Sequence, residues 1–293
     1  MKKLIIIIVT LVLFSIENYA QQEIILTKYT FNSMFFNPAY AGSNGEDQGT
    51  ATLQYRNQWL GVNGAPTTIL GGAEYSFFGN SLGVGATIGQ EGIGSNTNTE
   101  FSFNTAYRMR LGDGFLSGGI RVGYTYISSN FLSLDVLNPG DIFDNASEKL
   151  SLFSVGAGVF YHDDQFKIGL SVPTIVSIGE GSIEKRKHVY GHFSILLGDE
   201  YSTIKWKPNM LVKYEQAVPL QLTLGVQAWL NDKIAPGLHW RLGESLAVSI
   251  EMNFLEDFSF TAAYDFTTND LHDYTTGSME VMVGYRFGGD ERR

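Results

Sequence analysis

The sequence predicts an all-β fold, a transmembrane antiparallel β-barrel of about fourteen strands with an N-terminal plug-like segment. Three observations predict it. Stretches alternating apolar and polar residues recur along the chain, so each has one oily and one wet face when extended. The links between them alternate short and long, as periplasmic turns and outer loops do in such barrels. After the N-terminal leader no apolar run is long enough for a membrane helix, and in lipid only helices and closed barrels satisfy their own backbone.

The chain opens with a secretory signal, residues 1–20. Lys2 and Lys3 supply the charge, Leu4 to Ile16 the apolar stretch, and Ala20 the small residue at the cleavage point before Gln21 and Gln22. A retained anchor is the alternative, although the stretch is short for a span. Removing Lys2, Lys3 and Glu17 from the 20 basic and 30 acidic residues leaves 18 and 29, a net charge of −11. Such acidity argues against a nucleic-acid partner, which favours a basic surface. The absence of cysteine excludes disulfides, thiol chemistry and a lipoprotein anchor. A mean hydropathy of −0.03 fits a barrel whose wet face dilutes its oily one.

Residues 21–48 precede the first strand as an N-terminal periplasmic or plug segment. Phe31, Met34, Phe35 and Phe36 make it too apolar for a solvated tail, so it plugs the lumen or packs under the barrel. A turn leading to an edge strand is the plainer alternative.

The barrel spans 49–287. Strands are predicted at 49–57, 67–78, 81–90, 99–111, 114–128, 150–161 and 165–172. Seven more follow, at 189–197, 203–214, 220–230, 234–242, 246–254, 258–266 and 278–287. Between Phe101 and Leu111, for example, Phe101, Phe103, Tyr107 and Met109 share one face, and Ser102, Asn104, Arg108 and Arg110 the other. The links Gly79-Asn80, Gly112-Asp113, His162 to Asp164, Gly198 to Ser202, Asn231 to Lys233 and Leu255 to Asp257 are short, and all but the last carry Gly, Asn or Asp where a tight turn would want them. The interleaved links are longer, except Glu215 to Pro219 and Gly243 to Ser245, which predict a low rim on that side. With short turns in the periplasm, both ends of the mature chain are expected there, including a periplasmic tail at 288–293. Aromatics near strand ends, such as Trp206, Tyr214, Trp240, Phe254, Tyr285 and Phe287, suit interfacial girdles.

By register Arg108, Arg110, Arg121, Lys167, Lys205, Lys207, Lys213, Arg241 and Arg286 face inward with Glu74, Glu251, Asp265 and Glu280. Opposed charges there predict structural ion-pair networks, and a basic path for anions is the sharper alternative. His162, with Asp163 and Asp164, is placed on a solvated turn. His188 and His192 form at most a weak metal pair without a third ligand. No phosphate loop or hydrolase nucleophile motif appears, and the Gly83-Val84-Gly85 run is read as strand glycine. The reading is therefore of a protein that is not an enzyme and needs no cofactor or metal.

Asn37-Pro38-Ala39-Tyr40-Ala41-Gly42, then Tyr55-Arg56-Asn57-Gln58-Trp59, then Gly64-Ala65-Pro66-Thr67, together resemble the PorP/SprF family of Bacteroidetes outer-membrane proteins. The final Gly284-Tyr285-Arg286-Phe287 is similar too. The resemblance implies a component of the type IX secretion and gliding machinery. Implied partners are ring lipoproteins, a peptidoglycan-binding periplasmic protein, a large secreted adhesin and outer-membrane lipid. It marks Asn37, Pro38, Ala39, Tyr40, Ala41, Gly42, Arg56, Trp59, Gly64 and Pro66 as partner-binding or plug-anchoring residues. Arg56 is expected to pin the N-terminal segment by donating to its carbonyls, Trp59 to close the lumen or anchor at the interface, and Pro66 to open the second strand. The chain ends on a barrel strand, which leads to an expectation of machinery rather than cargo. A fatty-acid-transporter-like channel, whose relatives also carry fourteen strands and an Asn-Pro-Ala plug, is the alternative.

Overall fold

The computed structural model describes residues 26–130, 147–179, 185–199, 201–216, 218–255 and 257–289. Within them lie fourteen strands: β1 (Gln48–Asn57), β2 (Thr67–Phe77), β3 (Leu82–Ile93), β4 (Asn96–Leu111), β5 (Gly114–Asn130), β6 (Ser147–His162) and β7 (Phe166–Gly179), then β8 (His188–Ile195), β9 (Ile204–Glu215), β10 (Gln221–Leu230), β11 (Ile234–Arg241), β12 (Ser245–Phe254), β13 (Phe258–Thr267) and β14 (Ser278–Gly288). Each pairs antiparallel with its sequence neighbours, and β1 pairs with β14 from Gln48↔Gly288 to Asn57↔Met279, closing the barrel. Closure leaves no strand edge facing lipid. No helix among the described residues is long and apolar enough to cross a membrane.

The alternation works as predicted, with the polarity of a soluble protein reversed. Leu53, Ile88, Phe103, Ile120, Phe153 and Leu170 point outward and are exposed, whereas Gln54, Thr87, Asn104, Arg121 and Ser154 are buried inside. An apolar exterior of this extent suits a hydrocarbon solvent. Trp206, Tyr214, Trp240, Phe254, Tyr285 and Phe287 all lie on that exposed face.

Most predicted strands match to within about three residues. The exception is β7, which runs on to Gly179, although Pro173 suggests a stop. A bulge accommodates the proline: between Val155↔Val176 and Ala157↔Val172, Gly156 alone stands opposite three residues of β7. A Cβ on Gly156 would lie 2.1 Å from the Pro173 carbonyl oxygen. The wall is uneven: β4, β5 and β6 have 16, 17 and 16 residues, and β8 and β11 only 8. The links after β9 and β11 are short, so the wall is low where the sequence places a low rim.

Residues 26–47 run inside the barrel. They include one turn of helix, α1 (Ser33–Phe36), and a 3₁₀ turn, Pro38–Tyr40. Leu26, Thr27 and Lys28 lie against the strand ends that flank the long links, beside Arg56, Arg241, Asp265 and Glu280. From there the chain descends to Gln48 at the short-turn end. The described chain thus starts and finishes at opposite ends of the barrel, because its first residues pair with carboxylates at the long-link end. The expectation that both ends of the mature chain share the short-turn side falls on residues 21–25 and 290–293, which lie outside the described residues.

Candidate functional site

The site is the contact between this inner segment and the barrel wall. Two apolar clusters carry the packing. Leu26, Tyr29, Phe35 and Phe36 meet Leu70, Tyr190 and Leu211, while Met34, Ala39, Tyr40 and Ala41 meet Ala106 and Phe160. Leu70, Ala106, Phe160, Tyr190 and Leu211 are apolar positions on largely polar inward faces, as are Leu152, Ala235, Ala247, Ala263 and Met282. Burial of this kind contributes roughly 25 cal/mol per Å².

Every residue of the motif Asn37 to Gly42 is buried, and each has a physical reason for its identity. The Asn37 side chain accepts from the Ala39 amide at 3.0 Å and donates to the Val159 carbonyl at 3.0 Å. Pro38 occupies the first position of the 3₁₀ turn, where no amide proton is required. Ala39 and Ala41 are fully buried against strand glycines: a Cβ on Gly119 would lie 2.4 Å from the Ala39 nitrogen, and one on Gly83 1.8 Å from the Ala41 oxygen. Tyr40 stacks on Phe160 with centroids 3.7 Å apart, and its hydroxyl bonds His192 Nδ1 at 2.5 Å. Gly42 adopts φ +65°, and a side chain there would meet the Tyr75 carbonyl at 2.7 Å. Its amide donates to Glu74 at 2.8 Å. Burial raises the Tyr40 phenol well above its usual range, helped by nearby Tyr29, whose own phenol burial also raises. Both stay protonated, and Tyr29 donates to Asn209 Oδ1 at 2.6 Å.

Charge completes the attachment. Arg56 donates to Asp265 at 2.7 Å, Glu280 at 3.0 Å and Thr27 Oγ1 at 2.9 Å. Glu280 in turn accepts from the amides of Thr27 and Lys28, both at 2.9 Å. Lys28, fully buried, pairs with Glu251 at 2.9 Å. Arg56 therefore holds the segment through shared carboxylates, not through carbonyls as its sequence position suggests. The carbonyl-pinning role falls to Arg108, which donates to Ala41 and Gly42 at 2.9 Å each, and to Arg121, which donates to Phe35 at 2.6 Å and pairs with Glu100.

The remaining motif residues sit elsewhere, around the β1–β2 link. The Trp59 amide donates to Ser278 Oγ at 3.1 Å, the Gly64 carbonyl accepts from Gly94 at 2.9 Å, and the Pro66 carbonyl accepts from Gln58 at 2.9 Å. Pro66 precedes β2, where its missing amide costs nothing. The structure brings these three together at the long-link rim, apart from Asn37–Gly42.

Among the other inward charges Arg108, Arg121 and Arg241 are buried. Arg110 shares their parity but is exposed, because it lies at the end of β4. His162 ends β6 rather than occupying a turn, with its ring stacked on Phe160 at 4.9 Å and on Phe115 at 5.6 Å. His188 engages Glu215 at 2.9 Å and His192 engages Tyr40, so the two do not converge. Sequence reasoning missed Thr27, Lys28, Tyr29, Glu100 and the inward glycines. For Glu100 and the glycines the signal exists, in their strand parity. For residues 27–29 there is none, since an irregular segment has no register.

Residues 18–285 match the profile of the family described as type IX secretion system membrane protein PorP/SprF. No curated protein matches the chain. Several solved structures share the barrel. The TodX ΔS2S3 mutant, a monoaromatic hydrocarbon channel, is 9% identical with a TM-score of 0.52, covering 88% of this chain and 94% of its own. A Pseudomonas aeruginosa FadL homologue is 10% identical with a TM-score of 0.48, covering 89% and 94%. Acinetobacter baumannii Omp33 is 7% identical with a TM-score of 0.49, covering 83% and 98%. At such identities the likeness is one of fold. The family match spans nearly the whole barrel and the segment within it, and the chain belongs to the PorP/SprF family of outer-membrane proteins of the type IX secretion system.

Proposed function

We propose that this protein is a non-enzymatic component of the type IX secretion and gliding machinery that works as a plugged docking platform. Its short turns meet periplasmic ring lipoproteins or a peptidoglycan-binding protein, and its long links meet a large secreted adhesin during export or display. The observation that carries the reading is the inner segment, locked by the Arg56, Arg108 and Arg121 contacts and seated on the wall through Asn37–Gly42. A lumen filled this way suits a platform better than a conduit. In this reading Asn37–Gly42 anchor the plug, while Trp59, Gly64 and Pro66 shape the outer rim where a partner binds. The test is deletion in the native host, with secreted cargo and surface adhesin as readouts and crosslinking to recover partners. Loss of either export or display is expected; normal levels of both would overturn the proposal.

A channel for hydrophobic solutes is the second reading. It is favoured by an apolar hollow of about 510 Å³ on the outer face, around Ile168, Leu170, Gly191, Phe193, Met210 and Val212. Uptake by purified protein in liposomes separates the two.

A further inference from the structure

Beneath the inner segment, at the short-turn end, a polar cavity of about 240 Å³ remains. At roughly 30 Å³ per water it has room for a small ion and its first waters, not for a folded partner. Lys167 of β7 and Lys207 of β9 both line it. Among the described residues neither ammonium donates a hydrogen bond or forms an ion pair.

The register brings the two lysines together. Lys167 is paired with Ser194 of β8, which is paired with Asn209 of β9, and Lys207 is the next inward residue on β9. Two strand spacings, roughly 10 Å, and a two-residue offset of roughly 7 Å put them roughly 12 Å apart, so both flexible stems reach a common point between them.

The carboxylates bordering the cavity are already engaged. Glu74 accepts from the Gly42 amide at 2.8 Å and from Asn44 at 2.6 Å, and Glu251 accepts from Lys28 and Gln227, both at 2.9 Å. Of the two, only Glu251 is neutralised by a cation, Lys28; Glu74 is held by neutral donors and offsets one positive charge, so Lys167, Lys207 and Arg286 leave the lining net positive. His192 adds a donor: when the Tyr40 hydroxyl donates to Nδ1, the proton sits on Nε2, a buried atom with no partner. Lys167 and Lys207 are half-buried; unpaired ammonium groups partly withdrawn from water are costly, and an oxyanion offers both counter-charge and acceptors.

We propose that this cavity is an oxyanion-binding site, in which Lys167 and Lys207 hold a phosphate or carboxylate group of a small solute with help from His192. The site does not depend on the secretion reading.

The test is calorimetric titration of the full-length protein in detergent, at constant ionic strength, with inorganic phosphate and separately with succinate. Wild type is expected to bind at least one probe saturably at millimolar concentrations. Phosphate alone would identify phosphate-bearing solutes, succinate alone carboxylates, and both the shared chemistry. The double variant Lys167→Gln and Lys207→Gln is expected to weaken binding about tenfold or more, because it removes two charge-assisted contacts. Neither substitution breaks an ion pair, and the electrophoretic shift of the unheated barrel checks folding. Lys205→Gln, whose ammonium pairs with Asp232 at the rim, is the control and should bind as wild type. No saturable binding of either probe, unchanged binding by the double variant, or an equal loss in the control would overturn the proposal.

Discussion

Gly83 on β3 and Ala41 on the inner segment leave no space for a side chain between them: a Cβ on Gly83 would stand 1.8 Å from the Ala41 oxygen. Gly119 stands in the same relation to Ala39, and Gly158 to Asn37 Oδ1 at 2.1 Å. These inward glycines of β3, β5 and β6 form the bed on which the motif lies. At Gly83 and Gly119 the obstacle is backbone, so the clash cannot be relieved by a rotamer change. We expect Gly83→Ala and Gly119→Ala each to destabilise by about 1–3 kcal/mol, the usual cost of overpacking. Gly118→Ala, outward-facing with nothing within 4 Å of the added carbon, should be neutral. Urea unfolding in micelles measures all three, and equal effects at Gly118 and Gly119 would refute the bed.

The Arg56 cluster makes a second prediction. Removing the guanidinium leaves Asp265 and Glu280 buried, with Arg241 3.9 Å from Asp265. Arg56→Ala should cost roughly 3–5 kcal/mol, the penalty for breaking a buried pair. Arg56→Lys should recover only part of it, because one ammonium lacks the fork that spans two carboxylates. By contrast Lys205→Ala, which breaks the exposed pair with Asp232, should change stability by less than about 1 kcal/mol. Denaturation midpoints check the contrast.

Plugging is directly measurable. Wild-type protein in planar bilayers is expected to conduct little. Arg108→Ala combined with Arg121→Ala removes the donors to the Ala41, Gly42 and Phe35 carbonyls and should raise the conductance or its frequency. Conductance that stays unchanged would mean that the segment does not gate the lumen.

The absence of cysteine makes orientation simple to test. Asp113→Cys lies in the short β4–β5 turn and Tyr274→Cys in the long β13–β14 link, both exposed. An impermeant maleimide should label residue 274 on intact cells and residue 113 only after permeabilisation. The reverse pattern would invert the proposed orientation.

Much of the fold is legible in the sequence because its causes are local. Strand parity follows from the two-residue repeat, so the inward positions of Arg108, Arg121, Asp265 and Glu280 can be read from the order of residues alone. The same parity carries a signal for the docking surface: Leu70, Ala106, Phe160 and Leu211 break the polar inner face, and Gly83, Gly119 and Gly158 interrupt it. Pro173 misleads because a bulge, which depends on the facing Gly156, absorbs it. Arg56 stands out in its motif, but its partners lie on β13 and β14, more than 200 residues away in sequence.

The sequence by itself determined a closed membrane barrel and which side of each strand faces lipid, because a backbone in hydrocarbon has few ways to satisfy its hydrogen bonds. Tertiary structure alone decided where residues 26–47 lie. That segment has no period to read, and its path is set by glycines, carboxylates and arginines from strands that become neighbours only when the barrel closes. Pairing of the successive strands β7, β8 and β9 likewise places Lys167 and Lys207 around one cavity, since both hairpins must form before the two ammonium groups can face each other.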